Sequence, residues 1–207
     1  MAAKLDLVII GSGPGGLAAG LIAKENNKSF LILEKGSHPM QGIIDTYPKG
    51  KKVYPTIPKR YPDPFPVLEI KPPDEKVPVE AYIDQADRVV KDNELPIRYN
   101  EEFKAIEGDY PDYLIKTDKG TYLTSRIILG FGSNIPNDLG IYGEAKTVAR
   151  NIENPEDYIG INVLVIGGGN AAADVVSSLS KIKREAKDHA TSVYWAHIKE
   201  TFEINKD

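Results

Sequence analysis

The chain has 207 residues, 41% of them hydrophobic and 27% charged, enough to bury a core and within the range of ordinary folded proteins. Its formal net charge of −4 supplies no general attraction to nucleic acid, and no apolar run approaches the roughly 18 residues of a membrane helix. With no cysteine, the chain itself carries no disulfide, redox dithiol, thiolate zinc site or cysteine-held iron–sulfur cluster, so any electrons it handles sit on a bound cofactor.

The first predicted element is a strand, Leu5 to Ile10, apolar and β-branched like one buried on both faces of a parallel sheet. It runs into Gly11-Ser12-Gly13-Pro14-Gly15-Gly16, and Leu17 to Glu25 continues as a helix. In such a strand-turn-helix, Gly11 permits the tight turn, Gly13 admits a pyrophosphate close to the backbone, and Gly16 lets helix and strand pack closely. The helix N-terminus then presents free N–H groups and a partial positive charge to the phosphates. A second strand, Phe30 to Leu33, ends in Glu34, 23 residues after Gly11 and able to accept hydrogen bonds from an adenosine ribose. Together these make a complete βαβ dinucleotide fingerprint. A protein-kinase glycine loop is excluded, because Ala18 stands where that loop needs valine.

Residues 47–78 hold nine of the fifteen prolines, with Tyr47, Tyr54, Tyr61 and Phe65 among them, and read as an extended excursion. Within it Lys49, Lys51, Lys52, Lys59 and Arg60 form a basic group, read as a solvated face. A helix is predicted over Val79 to Asp92, with Val79, Ile83, Ala86 and Val90 at helical spacing. Short strands follow at Ile97 to Tyr99, Phe103 to Ile106, Tyr113 to Thr117 and Tyr122 to Leu129, and the Asp118-Lys119-Gly120 turn makes a hairpin of the last two.

The opening pattern then returns. Ile161 to Ile166 is again a buried-strand run, Gly167-Gly168-Gly169-Asn170-Ala171-Ala172 has the G-x-G-x-x-A form, Ala173 to Lys183 reads as a helix, and Ser192 to Trp195 as the next strand. Two dinucleotide-binding starts suggest two dinucleotides, and the economical reason to hold two is to pass hydride equivalents between them. Asp174 near the start of the second helix also suits the helix macrodipole. After the second strand, His197 and Lys199 suit a 2′-phosphate whereas Glu200 suits a ribose 2′-hydroxyl, so NADP and NAD both stay open. His38, His189 and His197 lack metal-site spacing and read as surface side chains.

The order of Glu34 after the first motif, then "SRIILGFGSNIPNDLGIYGE", then "VLVIGGGNAAADVV" resembles two-dinucleotide flavoproteins of the thioredoxin-reductase type. Through "EKG" at Glu34 to Gly36, "TYP" at Thr46 to Pro48 and "GGGNAAAD" at Gly167 to Asp174, it is similar to bacillithiol disulfide reductase-like proteins. The resemblance implies FAD at the first site and NADPH or NADH at the second. It places Lys35, Gln41, Gly42, Tyr47, Pro48 and a Phe103 backbone group along the flavin dinucleotide, and Gly130 and Gly132 in the turn that closes the FAD domain. It adds Gly167, Gly169, Asn170, Ala171, Ala172 and Asp174 to the second site.

The expected class is therefore α/β: two Rossmann-like three-layer units with a small β-meander insertion at about 97–124, the second unit incomplete. The FAD-binding domain is expected over 1–145 and the start of an NAD(P)-binding domain over 146–207. Thr147-Val148-Ala149-Arg150 stands where thioredoxin reductases carry C-x-x-C, so a dithiol relay is excluded and the electron acceptor, a small molecule or a protein, is external. Because the family's returning FAD segment does not follow within the 207 residues, the chain is expected to be either a fragment or completed by a partner chain, and the resemblance implies a homodimer. A cytoplasmic location is expected, since no secretory cleavage pattern follows Met1. A flavin monooxygenase, whose F-x-G-x-x-x-H signature is missing, and a non-catalytic or incomplete dinucleotide-binding subunit or fragment remain as alternatives.

Overall fold

The strand β1 (Leu7–Ile10) is four residues of unbroken apolar character because both of its faces are covered, with Val8 and Ile9 wholly removed from solvent. The computed structural model describes residues 3–53, 76–132, 140, 148–149, 152 and 154–197. The chain divides into two compact units, Met1–Asp138 and Leu139–Asp207.

In the first unit β1 pairs in parallel with β2 (Phe30–Leu33) on one side and, farther along the chain, with Ile127–Leu129 on the other. Register follows from alternation along the pleat. Ile9 and Ile32 point to one layer, where they meet Leu17 and Leu21 of α1 (Pro14–Glu25) and Tyr82, Ala86 and Val89 of a later helix, Val79–Asp92. Val8, Ile10 and Leu33 point to the opposite layer and meet Ile115. Burying each such aliphatic side chain stabilises the unit by about 1.5–3 kcal/mol. α1 begins at Pro14, three residues ahead of the expected Leu17, since the fixed φ of proline and its missing N–H suit the first helical position.

A short helix, α2 (Gln41–Thr46), follows Met40, which sits in the left-handed region at φ 60° while its side chain is buried in the core. The ends of the proline-rich excursion pair as β3 (Lys52–Val53) and β4 (Val77–Pro78), antiparallel, directly before α3 (Val79–Asp92). The excursion over residues 54–75, with Lys59 and Arg60, lies outside the described residues.

β5 (Ile97–Arg98) closes one edge of the parallel sheet beside β2. β6 (Phe103–Glu107), β7 (Tyr113–Thr117) and β8 (Thr121–Thr124) form the antiparallel meander, with the expected hairpin at residues 118–120. The expected single strand from Tyr122 to Leu129 is corrected. It breaks at Ser125-Arg126 into β8, which belongs to the meander, and β9 (Ile127–Leu129), which joins the parallel sheet in the order β5-β2-β1-β9. The Thr124 hydroxyl accounts for the break, donating to the Arg126 carbonyl at 2.9 Å while Ser125 N donates to Leu5 O at 3.0 Å.

In the second unit β10 (Val163–Ile166) and β11 (Val193–Ala196) pair in parallel, with α4 (Asn170–Glu185) between them in the chain. The expectation of a strand buried on both faces is corrected for β10: Val165 is buried, but Leu164 and Ile166 are 59% and 48% exposed. Among the described residues α4 packs on one face of this pair and nothing covers the other.

An ionic cluster ties the base of this unit. Lys183, buried near the end of α4, donates to Ile161 O at 2.7 Å, to Asp188 Oδ2 at 2.9 Å and to Thr191 Oγ1 at 2.6 Å. Asp188 also accepts from the Thr191 hydroxyl and from Gly160 N. The Thr191 hydroxyl first, then the Gly160 amide and the Lys183 ammonium, hold the Asp188 carboxyl well below the usual carboxylate range. Such a group contributes stability that is complete above its unfolded pKa of about 4 and is lost as pH falls toward the lowered value. Lys183→Met should therefore lower the melting temperature of the second unit markedly at pH 7 and by much less near pH 2, where the folded carboxyl approaches its lowered pKa. Thermal melts at the two pH values decide it, and equal losses at both would exclude the ionic account.

Candidate dinucleotide-binding site

The first glycine turn owes its shape to backbone packed on backbone. Gly11, at φ +95°, donates its N–H to Leu33 O at 2.7 Å, and a Cβ on it would come within 2.5 Å of Gly130 O. A Cβ on Gly16 would lie 1.9 Å from Gly11 O. Gly130 N in turn donates to Ile10 O at 2.7 Å, so turn, helix and the end of β9 are in direct contact.

Gly13 and Gly15 differ. A Cβ on either would meet nothing within 4 Å, and Gly13, the N-cap of α1, has an extended backbone open to any residue. The fold does not demand glycine there. Open space ahead of a helix N-terminus with unbonded N–H groups fits the close approach of a diphosphate. Pro14 and Gly15 are exposed at this mouth, whereas Ser12 is buried.

Glu34, 6% exposed at the end of β2, is the charged group of the site. Its Oε2 accepts from Ser12 N at 2.9 Å and from Ser12 Oγ at 2.7 Å, and its Oε1 accepts from Gly36 N at 2.8 Å. A carboxylate offers about four lone-pair sites, so Oε1 retains capacity for a ribose hydroxyl. A 2′-phosphate at the same place would meet like charge. Burial first, then the carboxylates of Asp87 and Glu34, push the nearby Tyr99 phenol up to about 12.

The remaining first-site candidates divide into two groups. Lys35 and Gln41 line a cavity of about 520 Å³ together with Gly36, Ser37, Asp45, Asn100, Glu102 and Asp118. The Gln41 amide is committed locally: Oε1 accepts from Ser37 N at 3.1 Å and His38 N at 3.2 Å, and Nε2 donates to Asp45 at 2.7 Å. Gly42 and Tyr47 are exposed, Pro48 is half-buried, and the Lys51 ammonium stands 4.5 Å from the Tyr47 ring centre. Phe103 packs its side chain on the Val8, Ile10, Leu33 and Ile115 cluster, and Gly132 is exposed at φ +73°.

Glu101 was not anticipated. It is 3% exposed, its Oε1 accepts from Thr117 Oγ1 and Tyr122 Oη, both at 2.7 Å, and its N–H donates to Glu34 O at 2.9 Å. It thus ties the meander to the residue that carries the site's charge. An acidic residue before a short strand is too common a pattern to signal such a role.

The second turn lies in the second unit. Gly167 is at φ +141°, and Gly169, the N-cap of α4, has nothing within 4 Å of its Cβ position. Asn170, Ala171 and Asp174 are exposed, and Ala172 is half-buried. The His197 ring lies against Gly168, where a Cβ would come within 2.1 Å of it. Lys199 and Glu200 lie outside the described residues. Among the described residues no cluster of three or more His, Asp or Glu side chains is placed to hold a metal, and no helix is long and apolar enough to cross a membrane.

The two kinds of glycine separate experimentally. Gly16→Ala should cost roughly 1–3 kcal/mol or more in urea unfolding, because its Cβ overlaps a backbone oxygen. Gly13→Ala should unfold within about 0.5 kcal/mol of wild type. Equal losses for both would contradict this assignment of roles.

Comparison with known proteins shows the family and the fold. The ferredoxin–NADP reductase of Streptococcus agalactiae is 29% identical over 207 residues, covering 97% of this chain and 56% of that protein. An uncharacterized oxidoreductase, CzcO, of Bacillus subtilis is 27% identical over 193 residues, covering 85% of this chain and 52% of its own length. The solved bacillithiol disulfide reductase of Staphylococcus aureus shares the fold, with TM-score 0.80 at 21% identity, over 97% of this chain and 59% of that one. The chain thus spans little more than half the length of these relatives. The family model described as pyridine nucleotide-disulphide oxidoreductase matches residues 8–200, and the chain belongs to that family.

Proposed function

We propose that the protein takes part in a flavoprotein oxidoreductase reaction, in which reducing equivalents pass from NADPH or NADH through FAD to an acceptor outside the chain. The observation that carries this reading is the first glycine turn, whose Gly13 and Gly15 leave open space at a helix N-terminus while buried Glu34 stands at the ribose position. The second turn, with the same opening at Gly169, supports a second dinucleotide.

FAD, when bound, supplies the hydride-accepting and electron-releasing chemistry. The chain's own work is binding and orientation. The N–H groups at the start of α1 meet the diphosphate, Glu34 fixes the adenosine ribose and disfavours a 2′-phosphate, and the meander tied through Glu101 holds that end of the site rigid. The N-terminus of α4 takes the nicotinamide dinucleotide, with His197 and Lys199 as candidates for a 2′-phosphate. No acid or base is required, in keeping with a chain that shows no triad or paired-carboxylate pattern. Because these 207 residues contain no cysteine, an internal dithiol relay has no atoms to run on. The acceptor is then a low-molecular-weight disulfide, a quinone, a ferredoxin or a protein dithiol. The exposed Leu164, Ile166 and Tyr194, on the face of β10–β11 that no described element covers, support a homodimer or a completing chain.

The test is spectroscopic. Protein supplied with FAD should retain flavin bands after desalting, lose them anaerobically on addition of NADPH or NADH, and regain them with ferricyanide as a stand-in acceptor. Protein that stays colourless would overturn the flavin reading. NADPH oxidation that depends on an organic substrate and oxygen would point to the monooxygenase alternative.

A further inference from the structure

We propose that Trp195 is a positioning residue for the second glycine turn: its indole N–H holds the Gly167 carbonyl and so sets the path of the chain into the N-terminus of α4. The consequence for binding rests on the reading that this turn takes a nicotinamide dinucleotide.

The two turns share a spacing but differ at its third position. In the first, Gly16 lies so close to Gly11 O that a Cβ there would overlap it at 1.9 Å. In the second, Ala172 brings a real Cβ, 3.5 Å from where a side chain on Gly167 would begin. The place that the Gly11 carbonyl occupies is thereby closed to the Gly167 carbonyl. Gly167 adopts φ +141° where Gly11 has +95°, and its carbonyl accepts from Trp195 Nε1 at 2.7 Å. Its N–H donates to Ala196 O at 2.9 Å, so both polar groups of Gly167 are held by consecutive residues of β11.

The clamp also differs in kind between the units. In the first, the residue after β2 is Glu34, which binds both the N–H and the hydroxyl of Ser12 in the turn. In the second, the residue after β11 is His197, which meets the turn through its ring packed on Gly168. Ring packing fills space without fixing the direction of a peptide, and the indole supplies that direction. A peptide unit is planar, so pinning the Gly167 oxygen also fixes where the Gly168 N–H points and how the chain enters Gly169.

The test uses the full chain and two variants, Trp195→Phe and Ala172→Gly/Trp195→Phe. Phenylalanine keeps an aromatic ring in the half-buried site and removes the donor together with part of the indole's volume, so the double variant, which restores a place for the carbonyl but not that volume, separates the two losses. Amide hydrogen exchange is followed residue by residue, and NADPH and NADH titrations give dissociation constants. Trp195→Phe should raise exchange at Gly168 and Gly169 by about fivefold and weaken dinucleotide binding by a similar factor, the worth of one net hydrogen bond, with exchange in the first unit unchanged. The double variant should recover much of both, because the carbonyl regains the place open in the first turn. Exchange at the turn equal to wild type, or raised evenly over α4 and β11, would overturn the proposal. If the wild-type chain binds neither NADPH nor NADH, the dinucleotide reading of this turn fails, while the exchange comparison still decides the role of Trp195.

Discussion

A single buried carboxylate organises the first unit. Glu34 closes the distance between the end of β2 and the glycine turn after β1 by accepting three hydrogen bonds, two from Ser12 and one from Gly36. Charge-assisted bonds of this kind contribute about 1.5–3 kcal/mol each, and a buried carboxylate without them would be prohibitive. The same contacts that make the charge tolerable fix the turn, so stability and the shape of the binding mouth have a common origin. With Gly11 and Gly16 in backbone contact, the turn has little freedom to take another form.

The surroundings follow from that tie. Met40 N donates to Ser12 O at 3.1 Å, so α2 starts where the turn allows it. Glu101 reaches from β5 toward the meander and binds the Glu34 carbonyl, carrying the constraint to the opposite layer. Two buried carboxylates and one helix N-terminus thus converge on the strand ends, where doubly wound folds place their ligands.

Much of this was legible because its determinants are local. A β-branched run, a glycine turn, a helix and a second strand ending in an acid lie within 34 residues, and each reports its own geometry. The break between β8 and β9 was illegible, since nothing in Tyr122 to Leu129 marks a change of sheet until Leu5 and Thr124 meet across the chain. α2 was hidden for a related reason: Gly42 and two isoleucines favour no helix, and it depends on Met40 held to the distant Ser12. Lys183 looked like an ordinary helix lysine, because its partners come from two segments, Ile161 ahead of β10 and the Asp188–Thr191 loop after α4. The run Val163 to Ile166 gave no sign that one face lies open, as apolar character alone does not say how many neighbours a strand has.

On the proposed reading, the Glu34 carboxylate both shapes the first turn and receives the adenosine ribose. Glu34→Gln tests it most directly, because the amide keeps the volume but turns a donor toward Ser12 or Gly36, each of which already offers an N–H. Measured side by side, its urea midpoint should fall and its FAD dissociation constant should rise by about tenfold or more. A variant that unfolds like wild type and binds FAD as tightly would contradict the account.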